Sequence, residues 1–311
     1  MALIASAWKL AIITRCDAFR ACLSAPEHAL VESLDVQQYG CLKAAESEQN
    51  GGKESWGTTR DTHLERYKKW KLDDDKIDEL TSVREDEGSV LHKVTPLVTD
   101  LRFFARGKRG VLYAAETIDQ GDPVVVKFAG DPRASTSSAV IAGCWVETEA
   151  KWIRVMNRMG IGARLVASGT GWLICERLEG HNIVEFLTET ATNATVRWVL
   201  REMLCQCFTM DMMGVNKEEM THPTRHIIVH IARSAPQRWQ CTFIDFEKCQ
   251  YTKKPKNVTQ LCQFLSSPRM TGLFERHGIT WDVQQLRQRT KQYKQSITAE
   301  SFGGLMKVFQ L

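Results

Sequence analysis

Val124-Val125-Val126-Lys127 and, far downstream, Phe243-Ile244-Asp245-Phe246-Glu247 decide the reading of this chain. Each is an apolar, β-branched or aromatic run that ends in a charge, as a buried strand does where it reaches a cleft. A charge at the end of a buried strand is costly unless it finds a partner, so opposite charges on two such strands are expected to face a shared cleft. A lysine and an aspartate that converge in this way suit a phosphate chain and its divalent ion.

The intervening sequence has a definite order. Upstream of Lys127, Phe103-Phe104-Ala105-Arg106-Gly107-Lys108-Arg109-Gly110-Val111-Leu112-Tyr113 reads as strand, glycine turn, strand. Gly107 and Gly110 allow a close backbone approach to phosphate oxygens, and the basic residues between them favour anions. A helix over about 138–159 follows Lys127, with apolar residues at near-helical spacing and Gly160-Ile161-Gly162 as its stop. Glu147 and Glu149 lie within it. Two strands about Gly169-Thr170-Gly171 come next, then the linker Glu176-Arg177-Leu178-Glu179-Gly180. A second helix spans about 194–213 and stops at Gly214. A loop and a second hairpin, ending in Asp245, complete the pattern.

In this order the chain resembles a protein kinase over roughly residues 96 to 265. Val126-Lys127 is similar to the kinase strand lysine, Glu149 to its helix partner, Glu176 to Gly180 to the hinge, and Asp245-Phe246-Glu247 to the metal-binding Asp-Phe-Gly. More closely it resembles the small archaeal-type, Rio-like atypical serine/threonine kinases. That likeness is carried by Gly107 to Tyr113, Asn157 to Gly162, His222-Pro223-Thr224-Arg225-His226-Ile227-Ile228-Val229, Ile244 to Lys248, and Lys256-Asn257-Val258-Thr259-Gln260.

The resemblance implies an α+β, two-lobed kinase-like fold with a reduced C-terminal lobe and a poorly ordered N-terminal extension. The extension would occupy residues 1–95, the small lobe 96–180 and the helical lobe 181–311. ATP and Mg²⁺ are the implied cofactors. Gly107 and Gly110 would cover the phosphates, Lys127 would contact them, Glu149 would orient Lys127, and Asp245 would hold the metal. Glu176 and Leu178 would border the adenine. The implied activity is transfer of the ATP γ-phosphate to a serine or threonine hydroxyl.

The catalytic loop departs from the family. Gly214-Val215-Asn216-Lys217-Glu218-Glu219-Met220-Thr221-His222 carries no His-Arg-Asp. Registering Gly214 and the following strand leaves Glu219, or Glu218, near the base position, and His226 near the metal-binding Asn position. Mg²⁺ prefers oxygen ligands, which puts a second metal site in question. Glu247 stands where the family has glycine. Two alternatives stay open: a nucleotide-binding scaffold without catalysis, and a small-molecule phosphotransferase. The acceptor is an unknown protein or small molecule.

His222, His226 and His230 would line one helix face, but Pro223 and the β-branched Ile227-Ile228-Val229 favour a loop running into a strand. No cysteine or carboxylate adjoins them at ligand spacing, so zinc is not expected there.

The 311 residues are 43% hydrophobic and 25% charged, the composition of a globular enzyme. The net charge of +4 comes with no concentrated basic stripe along the chain, so no nucleic-acid partner is implied. The ten cysteines lack a Cys-x-x-Cys pair, and several lie in apolar segments, which fits buried thiols in a reducing compartment. No stretch has the length and apolarity of a membrane span. A cytoplasmic location follows from these features. The acid-free start with Lys9, Arg15 and Arg20 makes a mitochondrial or plastid transit peptide in residues 1–25 the alternative. Residues 46–87 read as a polar linker or loose helix.

Overall fold

The computed structural model describes residues 89–311 except 108–109, 133–135, 190 and 233–234. The expectations for the N-terminal extension, the transit segment and the Lys108-Arg109 tip of the glycine turn lie outside the described residues.

The first half is a five-stranded antiparallel sheet. Its strands are β1 (Val98–Gly107), β2 (Gly110–Thr117), β3 (Pro123–Phe128), β4 (Leu165–Gly169) and β5 (Trp172–Glu176), in the spatial order β1-β2-β3-β5-β4. Period-two alternation sorts β3 into two faces. Val124, Val126 and Phe128 are buried in one core with Val111, Tyr113, Trp172 and Ile174. Tyr113 packs edge-on between Phe103 and Phe128. Lys127 therefore points to the other face, where α2 (Thr136–Asn157) crosses between β3 and β4.

A short helix, α1 (Val90–Val94), precedes the sheet. Ser89 caps it by accepting a hydrogen bond from the His92 N–H, and Val90, Leu91 and Val94 are buried in the sheet's core. This helix lies before Pro96, where the sequence reading starts the small lobe. Five residues are too few to show helical periodicity, so nothing in the local pattern separates them from a linker.

The second half is mainly helical. The linker leads into β6 (Gly180–Asn182), α3 (Ile183–Glu189) and α4 (Asn193–Met212). Thr192 and Thr195 form a reciprocal capping box at the start of α4. The strand β7 (Val215–Asn216) pairs with β10 (Gln250–Tyr251), and β8 (Ile227–Ala232) pairs with both β6 and β9 (Ala235–Phe243). Gly180 is where the linker touches this hairpin. A Cβ there would lie 2.3 Å from the Val229 carbonyl oxygen and 2.7 Å from His230 Cβ, so only glycine fits. Four α-helices follow among the described residues: α5 (Asn257–Leu265), α6 (Pro268–Glu275), α7 (Val283–Gln295) and α8 (Ala299–Met306). Their core includes Phe208 stacked on Phe302 at 4.2 Å.

This is the two-lobed, protein-kinase-like α+β architecture that the sequence implies, with a reduced helical lobe. The lysine strand, the helix α2 and the hairpin leading to Asp245 all meet at the junction of the two halves.

Candidate active site

Lys127 reaches α2 from the open face of β3. Its Nζ lies 2.6 Å from Glu149 Oε2 and 3.2 Å from Glu247 Oε2. The Lys127 side chain is only 17% exposed and that of Glu149 only 8%, so the charges have been taken largely out of water. Burial alone would lower the lysine pKa, but Glu149, Glu247 and Asp245 together hold it above its ordinary value. Glu147, two residues before Glu149, faces solvent.

Gly110, at the start of β2, lies against this pair. A Cβ on Gly110 would fall 2.3 Å from the Phe128 carbonyl oxygen and 3.7 Å from Lys127 Cε. The backbone at Gly110 thus runs beside the lysine stem. On the linker, the Glu176 carboxylate accepts a hydrogen bond from the Arg164 N–H at 2.8 Å, which ties it back to β4. Leu178 is half-buried.

The strand β9 ends at Phe243. Two residues later Asp245 takes a left-handed backbone, with φ +64°. A non-glycine residue held there carries backbone strain, a feature that concentrates at functional sites. Phe246 anchors the turn. It is buried against Gly162, where a Cβ would come within 2.9 Å of the ring. The loop that presents Gly162 is pinned by Asn157, which donates to the Ile161 and Ala163 carbonyls and accepts from the Leu165 N–H.

Asp245 shares its end of the cleft with His226 and Glu219. His226 Nδ1 is 3.5 Å from Asp245 Oδ2, and His226 Nε2 is 3.1 Å from Glu219 Oε2. Ligand atoms of all three lie within 4.8 Å of one another. Asp245 Oδ1 and His226 Nδ1 are buried with no hydrogen-bond partner, which leaves both able to ligate a cation. Burial, followed by Lys217, lowers the His226 pKa and favours the neutral, ligating imidazole. Glu219 is ion-paired with Lys248, whose hydrogen bond holds its carboxyl below the usual range. Like Asp245, Glu219 has a left-handed backbone. Glu218 is exposed.

Three features escape a reading along the chain. Glu247 stands where glycine was expected, and it reaches back to Lys127 as a second carboxylate. Its alternation with Asp245 carried no sign of this. The direct contact of His226 with both Glu219 and Asp245 is the second, although the loop register already puts Glu219 near the base position, His226 near the metal-binding Asn position and Asp245 at the metal. Sequence spacing found no carboxylate beside the histidines, and folding brings two to His226. The other two histidines go elsewhere: His222 hydrogen-bonds Thr221, and His230 hydrogen-bonds Thr242.

The third is Lys217, which is 1% exposed, with Nζ 5.4 Å from the centroid of the Phe246 ring. Burial lowers its pKa against the pull of Cys249, Asp245 and Glu219. Its backbone N–H donates to Asn257 Oδ1 at 2.8 Å. Asn257 in turn donates to Val215 O and to Asp211, which also accepts from Val258 N and Tyr293 Oη. This buried network ties α4, α5 and α7 to the loop that carries Glu219. Burial pushes the Asp211 carboxyl up to about 6 against those hydrogen bonds.

The described cysteines form no disulfide, and the thiols of Cys175, Cys207, Cys241, Cys249 and Cys262 are buried, which pushes each above its ordinary pKa. No helix among the described residues is long and apolar enough to cross a membrane.

No protein-family model matches the chain, and no curated protein matches it. Among solved structures, it is similar to a Rio2 kinase–ADP/Mg²⁺–phosphoaspartate complex from Chaetomium thermophilum. That likeness has 11% identity and a TM-score of 0.38, and it covers 71% of this chain and 66% of that one. A second solved kinase domain is 15% identical with a TM-score of 0.37, over 57% of each chain. At these levels neither likeness adds to the fold read from strand order and helix placement.

Proposed function

We propose that the chain is an ATP-dependent phosphotransferase that moves the ATP γ-phosphate to a hydroxyl acceptor, in the manner of an atypical serine/threonine kinase. One observation carries the reading: the buried Lys127–Glu149 pair at 2.6 Å, with Gly110 against the lysine stem and Asp245 near enough to raise the lysine pKa. Lys127 donates to phosphate oxygens, and Glu149 fixes its direction. Gly110 keeps the backbone low over the same space, with Gly107 on the facing strand. The linker at Glu176 and Leu178 borders the base through its backbone and the Leu178 side chain, because the Glu176 carboxylate is engaged with Arg164.

Asp245 and His226 would hold a divalent cation, which neutralises charge on the phosphates when bound. A carboxylate with an imidazole suits Mn²⁺ better than Mg²⁺, which favours an all-oxygen set. In the transfer, the acceptor oxygen bonds to the γ-phosphorus as the bond to the ADP oxygen breaks, and the hydroxyl proton passes to a carboxylate. Glu219 is the better placed of the two glutamates for that proton, since it adjoins His226 and Asp245. The test is Glu219→Gln, which should cut transfer by roughly 10²–10⁴-fold, the worth of general base catalysis. The same loss in Glu218→Gln with none in Glu219→Gln would move the role by one residue.

A second reading, a nucleotide-binding scaffold without turnover, is favoured by Glu247. Its carboxylate occupies Lys127 and competes with phosphate for the lysine. Wild-type protein that binds ATP and transfers nothing to protein, small alcohol or water would establish it. The acceptor class, serine/threonine specificity, the division into lobes at Gly180 and the cytoplasmic location belong to the same proposal.

A further inference from the structure

Beside the loop that carries Glu219 lies a cavity of about 450 Å³, lined by residues of α5 and α7 and by Thr221. From α5 and the residue before it come Lys256, Thr259, Gln260 and Gln263. From α7 come Arg287, Thr290, Lys291 and Lys294. Both sets follow the spacing i, i+3, i+4, i+7, the stripe a helix normally uses for apolar packing. Here the two stripes are polar, and together they bring four cations to one opening with no carboxylate in the lining. None of the four cations is paired with a carboxylate among the described residues.

Like charges gathered around a concave opening repel one another and create a field that concentrates anions. The neutral groups refine the match. Thr259 and Thr290 already donate their hydroxyls to the Lys256 and Leu286 carbonyls, so the cations and the glutamine amides are the donors that remain. Gln260 Oε1 is buried without a partner. It can take a ligand O–H or, with the amide turned over, give its N–H₂ to a phosphate oxygen.

The rim is fixed to the catalytic loop. The Lys256 N–H donates to Asn216 Oδ1 at 3.0 Å, and α5 is held by the Asp211–Asn257 network. Thr221 is two residues from Glu219, so their Cα atoms are separated by at most roughly 7 Å, the reach of two extended residues.

We infer that this cavity is an acceptor subsite for a phosphomonoester: the hydroxyl acceptor carries a phosphate of its own, which docks among Lys256, Arg287, Lys291 and Lys294. A phosphomonoester brings nearly two negative charges and three acceptor oxygens in a compact group, which four clustered cations can match. The same chemistry is supplied by a phosphorylated small molecule or by a phosphorylated side chain of a protein. The inference deepens the phosphotransferase reading, and its binding test does not require turnover.

The experiment is calorimetric titration of the full chain with inorganic phosphate, O-phosphoserine and a short phosphoserine peptide, each against its unphosphorylated counterpart where one exists, at about 0.15 M salt. The variants are Arg287→Gln/Lys291→Gln and, as a control on an exposed face of α2, Lys151→Gln. ATP binding is measured in parallel. The expected result is binding that needs the phosphate and weakens about tenfold in the double variant, from a few-fold for each exposed charge pair. ATP affinity and the Lys151→Gln protein should be unchanged. A stronger response to phosphoserine than to the peptide assigns the site to small molecules, and the reverse assigns it to proteins. Absence of phosphate-dependent binding, or equal binding by the double variant, would overturn the inference. In each of those cases, retained γ-phosphate transfer would leave the phosphotransferase reading standing.

Discussion

Replacing Lys127 by alanine should do more than weaken ATP binding. It should unsettle the fold in a pH-dependent way. Lys127 is the partner of two carboxylates, at 2.6 Å and 3.2 Å, both with side chains of 10% exposure or less. Removing one member of a buried pair leaves an uncompensated charge and typically costs about 3–5 kcal/mol. For a folded unit of roughly 150–250 residues, that corresponds to a Tm lowered by about 6–20 °C. The pH dependence follows from Glu149. Burial already pushes its carboxyl up while Lys127 pulls it down, so losing the lysine lets it rise further. Its pKa in the folded variant then exceeds the unfolded value of about 4.3. Between those two values the folded state binds the extra proton, so stability is greatest on the acid side and falls as pH rises through the window. The Lys127→Ala penalty should therefore be smaller near pH 5 than near pH 8. Thermal scans without nucleotide, at both pH values, measure it. The double variant Lys127→Met/Glu149→Leu should recover part of the lost Tm, because an apolar pair removes the Glu149 charge while Glu247 still lacks its lysine. An unchanged Tm in Lys127→Ala, or a penalty that grows toward acid pH, would refute the reasoning.

Glu247→Gln removes one of two anions that hold Lys127, and it should raise ATP affinity by about fivefold, close to the roughly 1 kcal/mol net worth of one exchanged hydrogen bond. Weaker ATP binding in equilibrium titration would show instead that Glu247 helps to present the lysine. His226→Asn replaces a nitrogen ligand with an oxygen, so the wild-type preference for Mn²⁺ over Mg²⁺ in nucleotide binding should narrow in the variant. Equal metal preference in the two proteins would remove His226 from the cation site.

Much of the fold was legible because its determinants are local. The alternation of Val124, Val126 and Phe128 against Lys127 marks a strand with one buried face, and the glycines after the helix and at the linker mark real stops and close approaches. The pairing of Lys127 with Glu149 rather than Glu147 was not legible from charge alone. It depends on which side of α2 turns to the sheet, and Trp145, an apolar residue on that helix, is in fact largely exposed. The buried helix α1 was hidden by its shortness. The loop register puts Glu219, His226 and Asp245 near one site, but their direct contact depends on two left-handed residues that no sequence rule requires there. The cationic cavity was invisible for a related reason. Lys256 and the cations of α7 are some thirty residues apart, so no basic stripe shows along the chain until α5 and α7 are set side by side.

The most direct test of the central claim is γ-phosphate transfer from radiolabelled ATP by the full chain, with Mg²⁺ or Mn²⁺ and with protein, small-alcohol and water acceptors, compared with Asp245→Asn. The account predicts label on a hydroxyl acceptor with the wild-type protein, and transfer that falls to background in a folded Asp245→Asn protein. Transfer that survives that substitution unchanged, or a wild-type protein that binds neither ATP nor a divalent ion, would contradict it.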